Sequence, residues 1–286
     1  MYFLQSELPV QSSEDDYFQI LQVPLEKSVS YGKGTGQGPT AIINASQELE
    51  LFDGYSVPAE HGIYTHPEIN AKVSLEIIFN KMDILLQQIF AKNKFPIILG
   101  GEHTLTLGTI KSIKNTYSKF GIIQFDAHAD LRDSYQDNPF SHACVMKRIY
   151  DLDIPIFQIG IRSISTKEHI LRKNNNIFSL DAEFLAENGI PDVILPPEFP
   201  EMCFLTIDVD VFCPSLIPST GTPEPGGLTW YQVWTLMKKI IHETKIIGFD
   251  VVELAPIENL HAPDFVIARL IYNIMGLIAR NYLAKS

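Results

Sequence analysis

Gly121-Ile122-Ile123-Gln124-Phe125-Asp126-Ala127-His128-Ala129-Asp130 decides how the rest of the chain reads. A short apolar run, the length of a buried strand, passes directly into two carboxylates and an imidazole spaced two apart. Runs of this kind form strands covered on both faces of a parallel sheet. Polar residues at their carboxyl ends lie where open α/β sheets bind ligands. On an extended backbone the period of two puts Asp126, His128 and Asp130 on one side. The arrangement occurs twice more: residues 95–99 lead into Gly100-Gly101-Glu102-His103, and residues 202–207 into Asp208-Val209-Asp210. His103, Asp126, His128, Asp130, Asp208 and Asp210 are therefore the candidate metal ligands. Two divalent cations bring four positive charges and the four aspartates four negative ones, the balance a two-metal hydrolytic site needs. Imidazole and carboxylate without thiolate suit Mn²⁺ better than a closed zinc–thiolate site, while also accommodating Zn²⁺, Co²⁺ or Ni²⁺. The two glycines before His103 fit a tight turn.

Outward from these motifs the pattern alternates. Strands are expected at residues 17–23, 155–159, 177–180 and 245–249, besides the three motif strands. Helices are expected at 73–92, 105–117, near 143–150, and at 229–244 with Thr229 as cap. The Gly/Pro-rich stretches 31–39 and 214–227 read as loops. The apolar stretch 265–283 is interrupted by Arg269, Asn273 and Arg280, so it reads as a buried helix and not a membrane span. Alternation of strands and amphipathic helices over 286 residues, with no repeat or linker, predicts one α/β domain (residues 1–286) with a mainly parallel sheet between helical layers. A net charge of −12 argues against binding nucleic acid or an anionic membrane surface. Three cysteines without a CxxC pair, and no apolar leader, point to a reduced, cytoplasmic protein.

Three further positions carry chemistry. His142 follows Asp130 by twelve residues, in a loop expected to rim the site, and an imidazole titrating near neutrality suits proton delivery to a leaving amine. Glu253 is a lone carboxylate in the apolar run 246–256. It is either half of a structural ion pair or the acceptor for a cationic group such as a guanidinium. Thr220 and Thr222 lie in a loop able to hold a hydroxyl over the site. His61, His66, His169, His242 and His261 read as surface or loop residues. Asp133 and Asp137 could line the mouth and receive a substrate ammonium, whereas Arg132, Lys147 or Arg162 would receive a carboxylate.

The motifs Leu99-Gly100-Gly101-Glu102-His103, Phe125-Asp126-Ala127-His128-Ala129-Asp130 and Thr206-Ile207-Asp208-Val209-Asp210, followed by Thr220-Gly221-Thr222-Pro223-Glu224-Pro225-Gly226-Gly227, resemble those of the ureohydrolase (arginase/agmatinase) family in order and spacing. The resemblance implies a three-layer α/β/α fold, a binuclear Mn²⁺ centre and hydrolysis of a guanidino group to urea and an amine. It implies that Asp126 and Asp208 bridge the two ions, that Asp210 and His142 move protons, and that Glu253 and Thr222 hold the guanidinium. It also implies a homotrimer or homohexamer. The stretches 130–135, 141–143 and 160–163 favour agmatinase, with agmatine converted to putrescine in polyamine biosynthesis. Guanidinobutyrate, aminopropyl-agmatine or arginine are alternative substrates. A metal deacetylase, which would carry a tandem His-His absent here, and a non-catalytic metal-stabilised binding protein are the rival readings. Cys213 stands where the family usually has Asp, and Ser219 where many members have Gly; both bear on the loop rather than the fold.

Overall fold

The computed structural model describes residues 1–8, 13–175 and 177–283. Among the described residues, eight strands pair in parallel into one sheet: β1 (Phe18–Val23), β2 (Ile63–Thr65), β3 (Phe95–Gly100), β4 (Gly121–Phe125), β5 (Ile156–Ile159), β6 (Phe178–Leu180), β7 (Met202–Asp208) and β8 (Lys245–Val252). Their order is β2-β1-β3-β8-β7-β4-β5-β6. The α-helices are α1 (Gly38–Ala45), α2 (Leu75–Ala91), α3 (Leu105–Thr116), α4 (Val145–Tyr150), α5 (Thr166–Asn174), α6 (Ala182–Asn188), α7 (Trp230–Glu243) and α8 (Ala262–Ile278). The strands expected from apolar runs are all present. β8 runs three residues further than its apolar run, so Asp250 lies inside the strand and is fully buried. The sequence reading did not contain β2, α1, α5 or α6. β2 has only three residues, and α5 is largely polar and exposed, so neither offers an apolar period to detect.

Alternation along each strand divides the core in two. Ile97, Leu99, Ile123, Phe125, Leu205, Ile207, Phe249 and Val251 pack in one cluster with α1, α7 and α8 residues such as Ile42, Met237 and Ile271. Ile98, Ile122, Phe204 and Ile247 pack on the other face with Ile78 and Met82 of α2, Ile110 of α3 and Met146 of α4. The result is the expected α/β/α layering. α7 starts as its sequence predicts: Thr229 accepts from the backbone N–H of Gln232, and Gln232 accepts from that of Thr229, a reciprocal cap. α8 and the helical turn that continues it, Ala262–Leu283, have the length and apolarity of a membrane span, but 67% of the most apolar window is buried inside the protein, so here they form a core helix.

Four polar residues interrupt the second face in a single row. Gln158, Gln124, Thr206 and Asp250 are direct register partners across β5, β4, β7 and β8. All are fully buried. Each sits one or two residues before its strand's end, and the row so forms a floor beneath the functional site.

A candidate two-metal active site at the strand ends

Four strand ends deliver the site: β3 carries His103, β4 carries Asp126, His128 and Asp130, β7 carries Asp208 and Asp210, and β8 carries Glu253. Extended backbone is not what gathers the aspartates, contrary to the reading from their spacing. Each motif turns on its first carboxylate. Asp126 Oδ1 accepts from the N–H of His128 at 2.6 Å, and Asp208 Oδ1 accepts from that of Asp210 at 2.9 Å. Asp130 then adopts a left-handed conformation at φ +52°, and Glu253 another at φ +64°. Strained backbone of this kind at non-glycine residues clusters at functional sites. Gly101 is needed for close approach rather than for a turn, since a Cβ there would lie 2.0 Å from the carbonyl oxygen of Leu25.

The remaining carboxylate oxygens converge on His103. Its Nδ1 lies 3.1 Å from Asp130 Oδ2, 3.3 Å from Asp126 Oδ2 and 3.6 Å from Asp208 Oδ2. Its Nε2 is engaged by Thr206 Oγ1 at 2.8 Å. Nδ1 itself is buried with no hydrogen-bond partner of acceptable geometry. Buried polar atoms are rarely left so, and a ring whose far nitrogen is fixed by a partner while the near one faces carboxylates is how metal-binding histidines are held. Two groups offer donor atoms within 4.8 Å of one another: His103, Asp126 and Asp208, and Asp126, His128 and Asp210. Asp126 belongs to both, the place of a bridging ligand. Asp208 falls in the first group only. Asp210 Oδ2 meets His128 Nδ1 at 2.9 Å, and its Oδ1 accepts from the N–H of Ala127. The donor set fits two adjacent divalent cations.

Without cations, protons take up the charge. Burial, with Asp210 and Asp130 nearby, pushes Asp126 to about 7, and burial together with Asp210 raises Asp208 well above the carboxylate range. Burial pushes Glu253 to about 8. Burial would lower the histidines, but the neighbouring carboxylates of Asp126 and Asp130 outweigh it at His103, and the Asp210 carboxylate, which accepts from the His128 ring, carries His128 to about 10. At Asp210 burial works upward, and the His128 hydrogen bond reverses it, so this carboxyl is held low.

A pocket of about 280 Å³ opens over these groups. His128, Asp130, Asp208, Thr222 and Glu253 line it together with His142, so every candidate role is represented on its wall. Asp133 and Asp137 do not line it: Asp133 is exposed and paired with Arg148 at 2.7 Å. Of the three basic candidates only Arg132 does. Lys147 pairs with Asp151. Arg162 donates to the carbonyls of Asp210, Phe212, Glu224 and Pro225, which ties the two motif loops together. The one further carboxylate on the lining is Glu168, whose oxygens accept from the N–H groups of Leu131 and Ser165. Cys213 lies outside both donor groups, its sulfur accepting from Ser215. His66 is buried and bonded to Gln19 at 2.8 Å, not a surface residue; His61, His169, His242 and His261 are exposed as expected.

The sequence reading missed the supporting residues. Gln124 donates to Asp126 Oδ2, Gln158 donates to Gln124, and Thr106 donates to Asp250 beside Thr206. For Gln124 and Thr206 the signal was available as one polar residue in an apolar run, two positions before Asp126 and Asp208.

Residues 16–276 match the family model described as the arginase family. The chain belongs to the arginase family. It is 34% identical to the N(1)-aminopropylagmatine ureohydrolase of Synechocystis sp. over 96% of this chain and 92% of that one. It is 32% identical to the agmatinase of Pyrococcus horikoshii over 96% of both. The crystal structure of agmatine ureohydrolase of Thermoplasma volcanium superposes with a TM-score of 0.88 at 24% identity, over 100% of this chain and 96% of that one. Arginase-family membership accounts for the order of the three motifs along the chain and for the all-parallel sheet that carries them.

Proposed function

We propose that this chain is a ureohydrolase that cleaves the guanidino end of agmatine or its N(1)-aminopropyl derivative to urea and an amine. The observation that carries this reading is the unpaired, buried His103 Nδ1 facing three carboxylates, with Glu253 on the same pocket. Two divalent cations, Mn²⁺ for preference with so oxygen-rich a donor set, would supply Lewis acidity and bring the pKa of a water toward neutrality. Glu253, fixed by the N–H of His103 at 2.7 Å, holds the guanidinium through charge-assisted N–H···O bonds, and Thr222 adds a hydroxyl to the same wall. Asp210, steadied by His128 and Ala127, takes a proton as water adds to the guanidino carbon. His142 gives a proton to the alkyl nitrogen as its bond to that carbon breaks. One water is consumed, and urea and a free amine leave.

The reading of a cationic tail rests on the relatives' names. On the rest of the lining the Glu168 carboxylate and the Arg132 guanidinium lie 3.8 Å apart and offset one another, the latter also stacked on Tyr135 at 5.2 Å. The relatives' names support both agmatine and its longer derivative. Steady-state comparison of agmatine, N(1)-aminopropylagmatine, arginine and 4-guanidinobutyrate on Mn²⁺-loaded protein tests the assignment. Higher kcat/KM for one of the two cationic amines is expected, and preference for arginine or the guanidino acid overturns it.

A further inference from the structure

The reading above leaves unexplained what holds His142. The segment after β1 is fastened to the β3 motif at several points. The N–H groups of Gly101 and Glu102 donate to the carbonyls of Val23 and Leu25. In return the buried Glu102 carboxylate accepts from the N–H groups of Lys27 and Ser28, both at 2.6 Å. It also accepts from the Ser28 hydroxyl at 3.1 Å. Ser28 Oγ in turn accepts from the backbone N–H of His142 at 3.0 Å and lies 3.5 Å from its Nδ1. Ser141 Oγ is 3.4 Å from the same ring nitrogen, and Ser30 Oγ is 3.4 Å from Nε2. Tyr135 meets the ring edge-on.

A hydroxyl has one proton. Ser28 gives its proton to Glu102, so toward His142 it can only accept. We propose that Glu102 and Ser28 are positioning residues for His142. By orienting the Ser28 hydroxyl as an acceptor, Glu102 favours the neutral imidazole with its proton on Nδ1. Nε2 is then left facing Ser30 and the pocket as the nitrogen that gains and delivers the proton. The glutamate of the Gly-Gly-Glu-His motif thus serves the proton-transfer residue while its neighbour His103 serves the metal site. This inference rests on His142 being the proton-transfer group.

The test is a double-mutant cycle on Mn²⁺-loaded protein with agmatine, together with ring ¹⁵N NMR of the protein loaded with diamagnetic Zn²⁺ at a pH where the His142 ring is neutral. Ser28→Ala should lower kcat by about 10-fold to 100-fold, the scale of a small misplacement of a reacting group, with KM and metal content little changed. In the His142→Ala background the same substitution should cost nothing further, because residues acting as one unit are not additive. The wild-type spectrum should show His142 protonated at Nδ1, and Ser28→Ala should lose that preference. Equal losses from Ser28→Ala with and without His142, or an unchanged tautomer in Ser28→Ala, overturn the positioning role. If His142→Ala itself leaves kcat intact, the proton-transfer assignment fails first and the positioning role falls with it.

Discussion

Glu253→Gln should make the metal-free protein more stable and the loaded protein a poorer enzyme. Burial raises this carboxyl from its ordinary 4.5 to about 8 in the fold. Between those values the folded chain holds a proton that the unfolded chain has released. Stability therefore falls as pH rises through that window, and the loss is complete above about pH 8. At about 1.4 kcal/mol per pKa unit, the full loss is on the order of 3–5 kcal/mol. Glutamine has nearly the same shape, keeps an oxygen for the N–H of His103, and cannot ionise. Scanning calorimetry with chelator present should find wild type and variant alike near pH 5. They should diverge to roughly 5–10 °C in Tm at pH 9, at about 2 °C per kcal/mol for a chain of this size. With Mn²⁺ bound the difference should shrink. The variant's kcat/KM for agmatine should drop by at least ~10-fold as a charge-assisted pair is lost. Parallel Tm curves from pH 5 to pH 9 would refute the burial argument. Full activity in the variant would place the guanidinium elsewhere.

Mn²⁺ loading should stabilise the fold by linkage, by about 2.7 kcal/mol at a hundredfold excess over Kd, and so raise Tm, and Asp126→Ala should lose most of that gain because Asp126 belongs to both donor groups; a melting temperature indifferent to verified metal removal contradicts this. His142→Ala should lower kcat about 10²-fold to 10⁴-fold with metal content intact, as checked by elemental analysis; loss of metal would make it a ligand instead. Arg162→Ala should cost roughly 2–4 kcal/mol in denaturant unfolding, since several buried carbonyls lose a charged donor, and Arg162→Lys should not restore it because an ammonium cannot span the same fork of acceptors.

The motif strands were legible because a parallel strand covered on both faces must be apolar, and its end is where the polarity changes. That single rule pointed to the six metal-ligand candidates, whereas His142, Thr222 and Glu253 were singled out by their loops, by a lone carboxylate in an apolar run and by the family resemblance. The local reason for the spacing was not legible. Asp-x-His and Asp-x-Asp work through carboxylate-to-backbone turns, and a period of two reads the same for a turn as for a strand. The far end of the pocket was also misread. Asp133 is near in sequence but paired outward, whereas Glu168 arrives from the start of α5, a helix too polar to announce itself. Glu102 and Ser28 lie 74 residues apart, and only the pairing of β1 with β3 brings them together.

Urea and amine measured together against metal content tests the central claim most directly. The account predicts one urea and one putrescine for each agmatine consumed. The rate should rise as the chain takes up two Mn²⁺ and be absent in Asp126→Ala. Protein verified to carry both ions that releases no urea from agmatine, N(1)-aminopropylagmatine, arginine or 4-guanidinobutyrate would contradict it.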